Sequence, residues 1–206
     1  PEIKPGLILN KETNSYIYAN SLEFPSTTHI SIVDEYGNAL SMTSTIESSF
    51  GSRLMTNGGF LLNNELTDFS FQKEKKGKRV ANNIEPNKRP RSSMAPTIIF
   101  KNNKPLFIIG SPGGSNIIGY VVNSIIGLID WNMNVQQAAS IPHGINKFGT
   151  FYLEKNSKIS SLKKQLEKKG YKVKLRNFYS GLNIIQINNK LFGGSDHRRE
   201  GIAIGY

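Results

Sequence analysis

The sequence predicts an α+β domain of antiparallel sheets covered by helices, and three observations carry that prediction. Most of the chain divides into short runs of alternating apolar and polar residues bounded by Gly, Asn, Asp and Pro, the pattern of half-buried strands. Two stretches break the alternation, Ile117 to Trp131 and Ser160 to Lys169; the first is too long and the second wrongly spaced for a strand. The strands also follow one another across short turns instead of alternating with helices, which favours antiparallel pairing.

The elements follow in order. Residues 1–26 read as a linker, with a turn at Pro5-Gly6 and Pro25 ahead of a Ser26-Thr27-Thr28 step. Thr28 to Asp34 alternates, Glu35-Tyr36-Gly37-Asn38 turns, and Ala39 to Ile46 alternates again, which is a hairpin signal. A short strand is expected at Arg53 to Thr56. From Phe71 to Arg91 there is no periodicity, and the stretch reads as a long basic loop. Thr97 to Phe100 and Leu106 to Ile109 form a second hairpin. Ser111-Pro112-Gly113-Gly114-Ser115 turns into a largely buried helix, Ile117 to Trp131. A short helix at Val135 to Ser140 stops before Pro142, and Phe151 to Glu154 is a strand. Ser160 to Lys169 is an amphipathic helix that Ser160 or Ser161 can cap and Gly170 can close. Tyr171 to Leu175, Asn183 to Ile187 and Lys190 to Tyr206 supply the last strands.

The chain has 206 residues, enough for one domain with its own core. It opens on Pro1 and not on Met, which reads as a processed product or a piece of a longer protein. Lys and Arg number 26 against 15 Asp and Glu, a formal net charge of +11. That balance is compatible with a nucleic acid or another anionic partner. However, the basic clusters at Lys73 to Arg79 and Lys163 to Arg176 carry no interleaved aromatics and no recognition motif, so a nucleic-acid or anionic-surface binding module is the weaker reading. The absence of Cys removes thiol catalysis, disulfides and thiolate metal sites. His29, His143 and His197 lack metal-ligand spacing, so no metal or cofactor is expected. No run is long and apolar enough for a membrane span.

Chemistry-bearing types are concentrated in few places. A Thr at the start of a strand, if the Ser26–Thr27 bond is cut, carries a hydroxyl nucleophile and an α-amine base on one residue. The Gly113-Gly114 turn brings backbone amides to a helix start, where they can hold an oxyanion; a plain structural turn is the alternative, and no Walker ending follows it. Glu65 and Asp68, three residues apart, share a face on a helical turn and can grip an ammonium group, or simply cap the turn. Ser92-Ser93 offers paired hydroxyls for a carboxylate.

These pieces together resemble the γ-glutamyltranspeptidase family. The resemblance rests on the run Thr27 through Thr45, on Gly59 to Phe69, on Pro86-Asn87-Lys88-Arg89-Pro90-Arg91-Ser92-Ser93-Met94-Ala95-Pro96-Thr97, and on Gly110-Ser111-Pro112-Gly113-Gly114-Ser115. They stand in the order of that family's small subunit, while Glu2-Ile3-Lys4-Pro5-Gly6 looks like the end of its large subunit. The resemblance implies an N-terminal-nucleophile hydrolase fold, a four-layer αββα sandwich. It divides the chain into 1–26, the end of the large-subunit segment before the processing site, and 27–206, the small-subunit catalytic domain. It implies self-cleavage at Ser26–Thr27 and attack by Thr27 on a γ-glutamyl carbonyl. By position it assigns Thr45 to support of the nucleophile, Glu65 and Asp68 to the α-ammonium, and Ser92 and Ser93 to the α-carboxylate. The Gly113 and Gly114 amides become the oxyanion hole. It implies a large-subunit partner, a periplasmic or cell-surface location, and a substrate such as glutathione. Glu47 stands where many family members have Asn. Thr45-Ile46-Glu47 and the tail around Arg199 lean toward the branch that processes poly-γ-glutamate capsule, in which Arg199 matches an important arginine.

Overall fold

The computed structural model describes residues 26–205 and the backbone of Tyr16–Ile17. The linker and turn expected in residues 1–25 otherwise lie outside the described residues. Strand β1 is Tyr16–Ile17. The first expected hairpin forms from β2 (Thr27–Val33) and β3 (Ala39–Thr45), with Thr27 paired to Thr45 and Val33 to Ala39. Its turn is closed by the Asp34 carboxylate, which accepts from the Tyr36 and Asn38 amides at 3.0 and 2.8 Å; Gly37 takes φ +83 there, a conformation Asx turns accommodate.

The expected strand at Arg53 to Thr56 does not form; a single bridge, Met55 to Leu61, stands in its place. The basic stretch from Phe71 to Arg91 is more ordered than its composition implied. It holds β4 (Glu74–Lys75) and β5 (Lys78–Val80), and β5 pairs in parallel with β1. Its charges are partly spent within it: Glu85 pairs with both Arg79 and Lys88, and Lys88 Nζ also donates to the Ala81 and Asn83 carbonyls. Short backbone pairings of this kind leave no periodic trace in a sequence.

The central sheet is built from β6 (Thr97–Lys101), β7 (Lys104–Gly110) and two strands near the C-terminus. Asn102 and Asn103 both have positive φ, the signature of a tight two-residue hairpin turn. After β7 come α1 (Ile117–Ile129) and α2 (Val135–Ala139). Helix α2 is closed by a reciprocal capping box between Asn134 and Gln137. Next are β8 (Gly144–Lys147), which had no sequence signal, β9 (Thr150–Glu154), α3 (Lys163–Lys168) and β10 (Lys172–Arg176). A 3-10 turn at Lys158–Leu162 leads into α3, so neither Ser160 nor Ser161 caps that helix. Strands β9 and β10 pair in parallel because α3 carries the chain back across them. Finally β11 (Asn183–Asn188) and β12 (Lys190–Ser195) complete an antiparallel sheet of order β12-β11-β7-β6.

The two faces of this sheet differ. Phe107, Ile109 and Ile184 pack with Ile117, Tyr120, Val121 and Leu128 of α1 and with Val135 and Ala138 of α2 to form the core. Complete burial of an Ile such as Ile109 contributes about 2–3 kcal/mol. The opposite face meets the β2–β3 hairpin through directional polar contacts. Ser41 donates to the Ile109 carbonyl at 2.9 Å, Ser31 to the Asn183 carbonyl at 3.3 Å, and Asn183 Nδ2 to the His29 carbonyl at 3.3 Å. Gly110 is required at this contact, because a Cβ there would stand 2.0 Å from the His29 ring. Hairpin, sheet and helices are three consecutive layers. A helical layer over the outer hairpin face is not among the described elements, and that face is apolar and uncovered. Ile30, Ile32, Leu40 and Met42 are 41–47% exposed.

Candidate active site

The hairpin register sets the first pair of hydroxyls. Thr27 begins β2 opposite the last residue of β3, and its Oγ1 donates to Thr45 Oγ1 across 3.3 Å. Thr45 Oγ1 also accepts from the Glu47 amide at 3.0 Å. Thr27 is buried, and its neighbour Thr28, on the opposite strand face, is exposed. The Ser26 hydroxyl donates to the Glu47 carbonyl.

Beyond Thr45 the chain turns sharply at Glu47, which sits at φ +72 and is 7% exposed. A buried non-glycine residue in that conformation is held by its surroundings. The Asn64 side chain provides this hold, accepting from the Ser48 amide and hydroxyl, both at 3.0 Å, while the Asn64 amide donates to the Ile46 carbonyl at 3.2 Å. These bonds bring the 3-10 turn Glu65–Asp68 beside Glu47. The two acids expected on one face do share it, and Glu47 joins them. The three carboxylates can each direct an oxygen into a group with all ligand atoms within 4.8 Å of one another. Burial first, then the Asp68 charge and hydrogen bond, then the Glu47 charge push the Glu65 carboxyl up to about 7. The cluster therefore holds a proton near neutrality and offers strong attraction to a cation.

The serine pair approaches from the other side. Asn82 anchors it, accepting from the Arg91 amide at 3.1 Å and donating to the Asp68 carbonyl at 2.6 Å. The basic loop is thus part of the site's scaffold. The glycine turn closes the ring. Gly113 takes φ +134 and Gly114 φ +59, so both need the freedom of glycine. A Cβ on Gly113 would also stand 2.5 Å from the Tyr120 ring. The chain then enters a helical N-terminus, whose first amides lack intrahelical acceptors.

One pocket gathers these parts, with Gly113 set just behind its lining. Thr27, Thr45 and Glu47 line it with Glu65 and Asp68; Ser92, Ser93 and Gly114 face them. Arg199 stands apart from the lining and reaches the Thr27 carbonyl through Nη1 at 3.5 Å. Sequence reasoning assigned no role to Arg91, Met94, Ser115 and Ile117, which also line the pocket. Arg91 had an available signal, a cation immediately ahead of the serine pair. The histidines are elsewhere. His29 is enclosed between hairpin and sheet, with ring nitrogens 2.8 Å from Thr43 Oγ1 and 3.1 Å from Ser31 Oγ, and burial lowers it to about 4. Among the described residues the three acids are the one group able to hold a metal ion, and the same oxygens suit an ammonium ion.

The family model for gamma-glutamyltranspeptidase matches residues 5–206. The chain is 35% identical to the glutathione hydrolase proenzyme of Escherichia coli K12 over 216 aligned residues, covering 100% of this chain and 35% of that protein. It is 37% identical to the glutathione hydrolase proenzyme of Bacillus subtilis 168, over 87% of this chain and 30% of that one. The chain thus spans about a third of the length of these curated relatives. Among solved structures, a mutant Helicobacter pylori gamma-glutamyltranspeptidase matches with a TM-score of 0.74 and 41% identity, over 84% of this chain and 100% of that one. The Bacillus anthracis transpeptidase enzyme CapD matches with a TM-score of 0.68 and 28% identity, over 87% and 99%. The α+β fold is the N-terminal-nucleophile hydrolase fold that these structures share.

Proposed function

The chain belongs to the γ-glutamyltranspeptidase family, and from that premise we propose that it carries the catalytic domain of a γ-glutamyl transferase or hydrolase, with Thr27 as nucleophile. The observation that supports this reading is the Thr27 hydroxyl, bonded to Thr45, opening onto a pocket of three carboxylates, two serines and a glycine turn.

In the first step, the Thr27 hydroxyl attacks the Ser26 carbonyl. The peptide C–N bond breaks, an ester forms, and the Thr27 amine is freed. Water then hydrolyses that ester, leaving a Ser26 carboxylate and an N-terminal threonine. Residues 1–26 end one segment, and 27–206 begin the catalytic one. The extent of the solved relatives, matched almost whole by a share of this chain close to that from Thr27 onward, supports this division.

In turnover, Thr27 Oγ1 attacks the γ-carbonyl while the residue's own amine takes the proton. The tetrahedral oxygen gathers charge against the Gly113 and Gly114 amides. The amine returns the proton to the leaving nitrogen, and a γ-glutamyl ester remains. Water resolves it to glutamate, or an acceptor amine to a new γ-glutamyl amide. Glu65 and Asp68, joined by Glu47, receive the donor's α-ammonium; Ser92 and Ser93 receive its α-carboxylate; Arg199 steadies the backbone of Thr27. Glutathione-like amides are the first substrate class. A γ-glutamyl polymer is the second, favoured by the likeness to the B. anthracis transpeptidase. The remainder of a longer precursor is the expected partner, and the uncovered apolar face of the hairpin supports one. A periplasmic or cell-surface location belongs to the same reading; no helix among the described residues is long and apolar enough to cross a membrane.

A chromogenic γ-glutamyl anilide tests the proposal in the full-length protein. Thr27→Ala is expected to lose ~10⁴-fold or more in rate and to remain a single uncut chain by intact mass. Equal rates for the two proteins would sink the assignment.

A further inference from the structure

Behind the glycine turn lies a buried polar chain that the proposed chemistry does not use. His143 and Ser180 are 0% exposed and Asp196 is 1% exposed. Ser180 Oγ stands 2.5 Å from Asp196 Oδ2 and 2.7 Å from His143 Nε2. A hydroxyl has one proton, and an ionised carboxylate only accepts. Ser180 therefore donates to Asp196, and His143 Nε2–H donates to Ser180. The tautomer follows from its partners: Nδ1 carries the lone pair, and it is buried with no hydrogen-bond partner among the described residues. Burial first, then the Arg198 and His197 charges lower His143 to about 3, so it stays a neutral donor across ordinary pH. A buried imidazole with one unpaired nitrogen is a poor choice for stability alone, since an apolar ring would fill the space without the desolvation penalty.

Both ends of this chain lead to the site. Asp196 Oδ1 accepts from Arg198 Nη1 at 2.9 Å, and Arg198 is clamped to Glu154 at 2.6 and 2.7 Å. Its neighbour Arg199 donates from Nε to the Tyr179 carbonyl at 3.1 Å and from Nη1 to the Thr27 carbonyl. Tyr179 is in turn the neighbour of Ser180. On the other side, the His143 ring lies 4.3 Å from the Tyr120 ring. Tyr120 is the ring that faces Gly113, and its hydroxyl meets the Tyr179 backbone.

We propose that His143 is a positioning residue: through Ser180 and Asp196 it holds Arg199 on the Thr27 carbonyl, and through Tyr120 it backs the Gly113–Gly114 turn. It touches no substrate and transfers no proton. The proposal rests on the assignment of Thr27 as nucleophile. A role of this kind alters the turnover step and leaves ground-state binding at the pocket alone.

The test uses the full-length protein and a γ-glutamyl anilide. His143→Phe keeps the ring and its stack but removes the donor; His143→Gln keeps an N–H donor; Ser180→Ala removes the relay. His143→Phe and Ser180→Ala are each expected to lower kcat about tenfold with KM within about twofold. The double variant is expected to be no slower than the slower single, because both break one chain, and His143→Gln is expected to recover part of the rate. Unchanged kcat in His143→Phe overturns the proposal, as do losses that multiply in the double variant or a His143→Gln as slow as His143→Phe. If His143→Phe yields no folded protein, Ser180→Ala decides alone, and native kcat there overturns the proposal. An active wild type matched by Thr27→Ala would instead defeat the nucleophile assignment, so the two failures are separable.

Discussion

The β2–β3 hairpin and the β12-β11-β7-β6 sheet lie face to face, yet they are held by opposite means. The four-stranded sheet sends Phe107, Ile109 and Ile184 into an apolar core shared with α1 and α2. The hairpin turns its polar side inward. Thr27, His29, Ser31, Ser41 and Thr43 face the sheet, and Ile30, Ile32, Leu40 and Met42 face outward. Apolar burial is non-directional and tolerates small shifts. Hydrogen bonds from Ser31 and Ser41 to fixed carbonyls do not. The sheet accordingly supplies stability, and the hairpin supplies the exact register that brings Thr27 opposite Thr45.

That division can be broken most forcefully in the core. Ile109→Ala is expected to cost about 2–5 kcal/mol in urea unfolding, with kcat per folded molecule unchanged. Ser41→Ala is expected to cost about 1–3 kcal/mol and to lower kcat as well, because Ser41 ties the hairpin to the Ile109 carbonyl and the Thr97 amide. Equal kcat losses in the two variants would erase the distinction.

A smaller effect probes the outer hairpin face. Met42→Lys in the full-length protein is expected to cost about 1–2 kcal/mol of thermal stability, and Met42→Leu close to nothing. No difference between the two would mean that this face stays wet and has no covering partner.

The smallest effect is the pH dependence of stability. His29 and His143 are lowered to about 4 and about 3 by burial, so the unfolded chain takes up protons that the native state refuses. Their contribution is complete above pH 6.5 and declines as pH falls from there, toward about 4 for His29 and about 3 for His143. Glu65, raised to about 7, acts in the opposite sense, favouring the fold as pH falls from 7 toward 4.5. Two groups against one leave a net loss on acidification. Urea midpoints between pH 7 and 4.5 should fall, and Glu65→Gln should steepen the fall. A rising midpoint in the wild type would contradict the burial of the histidines.

Much of this was legible in the chain. Alternation on either side of Glu35-Tyr36-Gly37-Asn38 located the first hairpin, because period-two burial and turn chemistry are local. The Gly113-Gly114 turn was legible for the same reason, since positive φ selects glycine. Glu65 and Asp68 could be assigned to one face from their spacing. Strands β4, β5 and β8 could not, because each is only two to four residues long, too short for a periodic pattern, and β5 takes a second partner, β1, from a distant segment. The same is true of Glu47, whose φ of +72 follows from Asn64 clasping Ser48, a contact between residues 16 apart. It is true again of the His143–Ser180–Asp196 chain, which joins three loops with no common motif.

By itself the sequence determined the α+β class, the hairpin on either side of Glu35-Tyr36-Gly37-Asn38, and the residue types able to act as nucleophile, ammonium grip and oxyanion turn. Tertiary structure alone decided that the hairpin's polar side faces inward, that Glu47 joins Glu65 and Asp68, and that Arg199 reaches the Thr27 carbonyl. Local propensity and spacing act over a few residues and leave a pattern along the chain. Which face is buried, and which distant side chains meet, depends on the packing of layers, and no window of sequence contains that information.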